Sequence, residues 1–422
     1  MMLLGLLRSA YFIVDTYWVA GLGSDALAAL GGCAFAWWMI LIASDLAGQG
    51  VHSLIARAAG AGRRVEIPAH AAQAVWVALA TTALFVAIWP ARSVYLDLIG
   101  FSPASAEYAL GADFLGASML GAGATAAHLL VGSVFRALGH TRTALVVTAA
   151  TLVVNAILDP LLIHGILGVP ALGIAGAAWA TTVANAVGTA IGLALLARDS
   201  LTIPLHPPRA AELLRIVRIG APVTAHGLGF SLVYVWLGSM ITDFGAFQMA
   251  AVGVGHRIES LAYLVAVGMS VGAATLVGQS LGAGQPRRAQ ASARAAAIQC
   301  SVAMVPFALA FGFMGDRLVG LLIDDPAIVA AGGLYLAVQA PVLVFMGLET
   351  VYDGAFTGAG HTQPPFWIGT TLTAARIPIA SLLAYDLEFG VVGIWFAIAA
   401  STTVKGLAMW VWFQRKTWDR EA

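Results

Sequence analysis

Asn155 and Asp159 stand four residues apart in an otherwise oily stretch, "TALVVTAATLVVNAILDPLLI", from Thr143 to Ile163. Residues at that spacing share one face of a helix. An ionised carboxylate at a helix centre in hydrocarbon costs about 2.5–3.5 kcal/mol on insertion scales. The cost falls if the acid is protonated, paired or bound to a cation. Pro160 follows directly and has no N–H for the carbonyl of Ala156, which leaves that oxygen free beside the pair. A carboxylate, an amide oxygen and an orphan carbonyl are hard donors that suit a small hard cation. A proton held by the acid is the alternative, because desolvation disfavours the ionised form. Asp15 is a second acid deep in an apolar run, and Thr181 and Thr182 add hydroxyls.

Other polar residues sit in apolar stretches. Asp45 and His52 are seven apart, share a face, and are candidates to line a cavity or to bond neighbouring helices. In "GHRIES" (255–260), His256, Arg257 and Glu259 are expected to include an internal ion pair, with gating or substrate contact as the functional alternative. Glu349 and Asp353 ("LETVYDG") are four apart near the inner end of a helix, where cytoplasmic solvation and a second proton site account for them equally well. His128, His226 and Lys405 read as satisfied polar residues.

The elements that carry these groups follow from composition. Of 422 residues, 60% are hydrophobic and only 10% charged, and the mean hydropathy is +0.88. A soluble domain carries roughly 25% charge, so this composition describes an integral membrane protein. The net charge is zero, which leaves no basic face for nucleic acid. Cys33 and Cys300 lie in apolar runs and offer neither a disulfide pattern nor metal spacing. No HExxH, GxSxG or paired metal-ligand spacing suggests an enzyme. The N-terminus lacks a basic n-region and carries Arg8 and Asp15 within its apolar part, so it is not read as a signal peptide.

Stretches long enough to cross a ~30 Å hydrocarbon layer number about twelve. They run roughly over 2–20, 26–58, 68–90, 105–137, 143–164, 173–197, 212–242, 248–280, 289–314, 327–357, 364–385 and 391–413. The longest polar, Pro-rich connection follows the sixth. It divides the chain into an N-lobe (1–200, helices one to six), a cytoplasmic linker (201–212) and a C-lobe (213–422, helices seven to twelve). The halves repeat. "SLIARAAGAG" (53–62) matches "TLVGQSLGAG" (275–284) at an offset of 222, "FRALGHT" (135–141) matches "FTGAGHT" (356–362) at 221, and "LGIAGAAWATT" (172–182) matches "VGIWFAIAAST" (392–402) at 220. Transporters are commonly built from such repeats. The expected fold is all-α and polytopic, with two pseudo-symmetric six-helix bundles. Pro222 maps to a position before Met1, so either the first helix is short on its inner side or the start lies upstream.

Basic residues set orientation. With the linker inside, only Arg92 and Arg317 fall outside, while Arg8, Arg257, Arg376 and Lys405 lie within helices. Every other basic residue is on the inner side, which makes both termini cytoplasmic. The offset partners of Asn155 and Asp159 are Arg376 and Ala380, and Asp15 faces Leu237. The fold is repeated, but the acidic chemistry belongs to the N-terminal half.

Across nearly its whole length the chain resembles the multidrug and toxic compound extrusion (MATE) transporters. The residues that carry the resemblance are "VDTYWVAGLGSDALAALG" (14–31), "FRALGHT", "NAILDP" (155–160), "LGIAGAAWAT" (172–181), "MAAVGVGHRIESL" (249–261) and "LVGQSLGAGQPRRA" (276–289). The resemblance implies two lobes forming a V and secondary active export of organic, often cationic and amphipathic compounds in exchange for Na⁺ or H⁺. Family members with an N-lobe coupling site build it from an Asp of helix one, an Asn and Asp of helix five and a Thr of helix six. Asp15, Asn155 and Asp159 match these, and Thr181 matches better than Thr182. Together they are the expected Na⁺ or proton site. "PVTAHGLGFSLVYVWLGSM" (222–240) lacks the helix-seven glutamate of the NorM-like branch, so the resemblance is closer to the DinF-like branch.

The expected setting is a bacterial inner membrane, with a monomer that handles small organic molecules, contacts lipid, binds no nucleic acid and needs no cofactor beyond the coupling ion. The alternative within the same superfamily is a lipid-linked oligosaccharide flippase. It would require a cationic cavity, for which Arg257, Arg376 and Lys405 are the candidates.

Overall fold

A computed structural model describes residues 14–204 and 206–415. The part of the first expected helix before residue 14, with Arg8, and the tail from 416, with Lys416 and Arg420, lie outside the described residues. Every described element is helical and no strand occurs among the described residues. Ten described helices are long and apolar enough to cross a membrane, or eleven if one bent pair is a single span. These eleven correspond to the second to twelfth expected spans. The first enters the described region at residues 14–20, which are helical.

The described residues form two compact units, one ending at Thr224 and the other beginning at Ala225. The N-terminal unit contains α1 (14–20), α2 (Ser24–Ser44), α3 (Leu46–Gly60), α4 (Glu66–Ala87), α5 (Arg92–Leu98), α6 (Ala106–Leu120), α7 (Ala122–Ala137), α8 (Thr141–His164) and α9 (Ile174–Arg198). The first half of α10 (Ala210–Thr242) also belongs to it. The unit therefore extends beyond the 201–212 linker. The linker itself is strapped to α4, where Gln73 donates to the Pro207 carbonyl and accepts from the Arg209 N–H, and Trp76 donates to the His206 carbonyl. These bonds satisfy loop backbone that would otherwise be orphaned.

Helices in a membrane gain nothing from expelling lipid-like side chains from water, so close packing of small residues takes over. A Cβ at Gly176 of α9 would collide with the backbone of Leu162 on α8, and one at Gly188 would meet Thr151 and His128. These two glycines let α8 and α9 approach closely at both ends of the Asn155–Asp159 segment. Between the two helices, Gly165 adopts a left-handed conformation (φ 71°) and ends α8. The bend of 48° between α6 and α7 falls at Gly121, against which Thr182 of α9 is packed.

The C-terminal unit holds the rest of α10, then α11 (Ala246–Gly282), α12 (Pro286–Gly320), α13 (Pro326–Gln339), α14 (Leu343–Gly358), α15 (Gln363–Ala374), α16 (Arg376–Ser381) and α17 (Val391–Arg415). The same small-residue packing recurs: Gly354 and Gly358 of α14 lie on Ser270 and Ala274 of α11, and Gly406 of α17 lies on Phe345 of α14. Its core is large and apolar, with Trp395, Tyr335, Tyr352, Phe356 and Phe413 fully buried.

Gly176→Leu should force α8 from α9 and destabilise the protein by about 1–3 kcal/mol through overpacking. A thermal unfolding curve of the purified variant should shift to lower temperature; an unchanged midpoint would show that the close approach is not required.

Candidate functional site

Three helices bring the predicted polar residues together in the N-terminal unit. The described end of α1 supplies Asp15. Its neighbour Trp18 sets that end against α8, its ring meeting His164 edge-on at 6.1 Å. α8 supplies Asn155 and Asp159 from one face, as their spacing requires. Pro160 sits within α8 without ending it. α9 supplies Thr181, at the level set by the Gly176–Leu162 contact.

The contacts are side chain to side chain. Asn155 Nδ2 donates to Asp159 Oδ1 at 3.1 Å and to Thr181 Oγ1 at 3.4 Å. Asp15 is buried beside them, with Asp159 and Asn155 as its electrostatic neighbours. Asn155 and Asp159 are 0% exposed and Asp15 6%. Thr182, one residue from Thr181, is turned elsewhere and donates to the Ala178 carbonyl at 2.8 Å.

Three buried oxygens remain without a hydrogen-bond donor: Asp15 Oδ1, Asn155 Oδ1 and Asp159 Oδ2. Asn155 can satisfy one carboxylate oxygen and Thr181 but has no further donor to give. No basic side chain pairs with either acid among the described residues. A buried acceptor left without a donor is costly, and a buried carboxylate more so. A proton on one carboxyl, or a small cation between the oxygens, removes that cost. The donor set of two carboxylates, an amide and a hydroxyl fits a hard cation such as Na⁺. No cluster of three or more His, Cys, Asp or Glu side chains placed to hold a metal occurs among the described residues.

The other candidates do not join this site. Asp45 sits at the junction of α2 and α3 and accepts from Gln49 Nε2 at 2.7 Å. Of the two alternatives for His52, bonding a neighbouring helix is the one observed. The residue is 5% exposed and its Nδ1 meets Ser133 Oγ of α7 at 3.5 Å, so it belongs to a helix–helix contact. The expected ion pair within "GHRIES" is also absent. Arg257 is exposed, whereas Glu259 accepts the Tyr335 hydroxyl at 2.6 Å. Glu259 lies two residues on from Arg257, so their side chains leave the helix in different directions.

Glu349 is not held by solvent. Its Oε1 lies 2.7 Å from the Lys405 ammonium, and the two side chains are 13% and 2% exposed. Asp353 stands one turn further along α14. Lys405, read from sequence as merely satisfied, is thus half of a buried ion pair, and it also donates to Thr373 Oγ1 at 3.4 Å. Sequence reading likewise missed how Arg376 is held. Nε donates to Ser401 Oγ at 2.6 Å, one Nη to Thr402 Oγ1 at 2.9 Å and the other to the Tyr234 hydroxyl at 3.1 Å. The signal was present: an arginine and a lysine in apolar helices, each facing hydroxyl-bearing residues. Of the three cations the flippase reading requires, Arg257 is exposed and Lys405 is neutralised by Glu349.

Comparison with known proteins agrees with this architecture. The MatE family model matches residues 1–161 and again 222–382, one match in each half. A probable multidrug resistance protein NorM of Thermotoga maritima is 25% identical over 99% of this chain and 90% of its own length. A protein named FAD transporter from Shewanella oneidensis is 25% identical, with 96% and 90% covered. A solved MATE structure described as the straight conformation superposes with a TM-score of 0.88 at 20% identity, covering 98% of this chain and 93% of that one.

Lys405→Ala should strand the Glu349 charge and destabilise the protein by about 3–5 kcal/mol, whereas Lys405→Met with Glu349→Gln should recover most of the loss. Thermal midpoints of the single and double variants check this. Strict additivity of the two would contradict a direct pair.

Proposed function

This chain belongs to the MatE family of membrane transporters, and from that premise we propose that it is a secondary active exporter of amphipathic organic compounds. Entry of Na⁺ or H⁺ at Asp15, Asn155, Asp159 and Thr181 drives the export. The observation that carries the reading is the set of three donor-less buried oxygens contributed by α1 and α8. The NorM names of curated relatives support efflux of drugs as the general activity. The burial of Asp15 and Asp159 together supports coupling in the N-terminal unit, the reading that would set this chain on the DinF-like side of the family. The setting is a bacterial inner membrane with both termini cytoplasmic.

The mechanism follows from charge. With both carboxyls ionised, two like charges face each other in a medium that screens them poorly, which favours separating α1 from α8. A cation or proton between them removes the repulsion and draws the two helices together. Each ligation state therefore favours a different placement of α1. Coupling requires only that the two placements differ in affinity for substrate and ion. A shift from about 1:99 to 99:1 needs about 5.5 kcal/mol of differential binding. Loss of like-charge repulsion in a buried pair is of that order. Asn155 positions the pair by bonding Asp159 and Thr181 together, so the oxygens stay aligned when empty.

The test is efflux of a fluorescent cationic dye from proteoliposomes with Na⁺ and pH gradients imposed separately. One gradient should drive efflux in the native protein. Asp159→Asn and Asp15→Asn should each reduce driven efflux by about a hundredfold or more, with membrane insertion and thermal midpoint retained. Each variant removes a charge on which the differential affinity depends, and two decades in rate correspond to about 2.7 kcal/mol. Undiminished efflux by Asp159→Asn would exclude the mechanism.

A further inference from the structure

The C-terminal unit contains the counterpart of the N-terminal site with its charge reversed. An offset of 221 carries Asn155 to Arg376, and the offset of 220 in the next repeat block carries Thr181 to Ser401. The contact is kept as well as the position. Asn155 donates to Thr181 in one unit, and Arg376 donates to Ser401 in the other. Where the first site has two acids and donor-less oxygens, the second has a guanidinium 2% exposed. Its three protein partners, Ser401, Thr402 and Tyr234, are all neutral hydroxyls.

A buried cation without an anion is expensive in a membrane. Among the described residues no carboxylate lies within ion-pair distance of Arg376. The nearby acid Glu349 is committed to Lys405 at 2.7 Å. A guanidinium presents five N–H donors in a fixed fork, and hydroxyls occupy three here, which leaves capacity for planar oxyanion recognition. The side of the fork held by Tyr234 is also the aromatic side. The guanidinium carbon lies 5.5 Å from the Tyr234 ring and 5.8 Å from the Phe230 ring, and those rings are 4.5 Å apart. Phe230 is 37% exposed and Tyr234 partly so. An aromatic surface thus runs from an exposed ring to the buried cation.

The geometry points to an anion-binding subsite at Arg376 that takes the carboxylate or phosphate of an aromatic ligand. The oxyanion engages the guanidinium beside Tyr234, and the ring packs against Phe230 and Tyr234. Ser401 and Thr402 hold the guanidinium through Nε and one Nη. This site is independent of the coupling site in the other unit, and it adds anionic or zwitterionic aromatic compounds to the ligands of the protein.

The experiment uses the full-length protein in phosphatidylcholine nanodiscs, free of anionic lipid, with thermal stabilisation by benzoate, phenyl phosphate and neutral benzamide as the readout. Benzoate and phenyl phosphate should half-saturate at a concentration about tenfold or more below benzamide, the gain expected of one charge-assisted fork. Arg376→Gln should abolish that preference. Equal responses to benzoate and benzamide, no response to either anion, or a preference that survives Arg376→Gln would each overturn the proposal. Should Arg376→Gln fail to fold, Arg376→Lys decides. It keeps the charge and loses the fork, so benzoate must weaken while benzamide stays unchanged. Unaltered benzoate affinity in that variant would overturn the proposal equally.

Discussion

A carboxylate in hydrocarbon must find a proton, a cation or a donor, and in this protein the neighbouring donors are too few. Asn155 has one amide group and spends it on Asp159 and Thr181. Two acids then hold oxygens that the protein leaves unsatisfied. Several contacts in the N-terminal unit hold that cluster together. Gly176 and Gly188 bring α9 against α8, the left-handed Gly165 ends α8, and Trp18 sets the last turns of α1 beside His164. A fully satisfied cluster would be a static core feature. An unsatisfied one changes energy with whatever small cation or proton occupies it.

The two halves of the chain show how one scaffold carries opposite chemistry. Sequence offset, helix order and the small-residue contacts repeat, because membrane packing constrains backbone approach more than side-chain charge. The polar positions are freer. At equivalent places one unit has an amide beside two acids, and the other has a guanidinium beside hydroxyls. In the C-terminal unit Glu349 is paired with Lys405. In the N-terminal unit no basic side chain pairs with Asp15 or Asp159 among the described residues, and that asymmetry supports the proposed coupling role.

Much of this was legible in the sequence because membrane helices announce themselves by length and apolarity, and because a four-residue spacing fixes a shared face. The eleven described spans and the pairing of Asn155 with Asp159 follow from those two rules alone. The rules reach less far where partners come from distant segments. His52 and Asp45 share a face, but Ser133, 81 residues away, receives only the histidine. Glu349 sits near a helix end, where solvation and a second proton site explain it equally well from sequence, yet a lysine 56 residues further along the chain pairs with it. The end of the first compact unit was hidden for a related reason. Linker composition marks where helices stop, whereas the first turns of α10 pack through Gly220 and Ile216 against α3 and its Leu46 start.

The central claim is that Asp15 and Asp159 form one buried acidic pair whose state changes with the coupling ion. Infrared difference spectroscopy of the purified protein in lipid, stepped from alkaline to acid conditions with and without Na⁺, addresses it directly. The account predicts a carboxylic-acid band, characteristic of a buried group, that appears on acidification and vanishes in Asp159→Asn. An identical difference spectrum from the Asp15→Asn/Asp159→Asn double variant would contradict it.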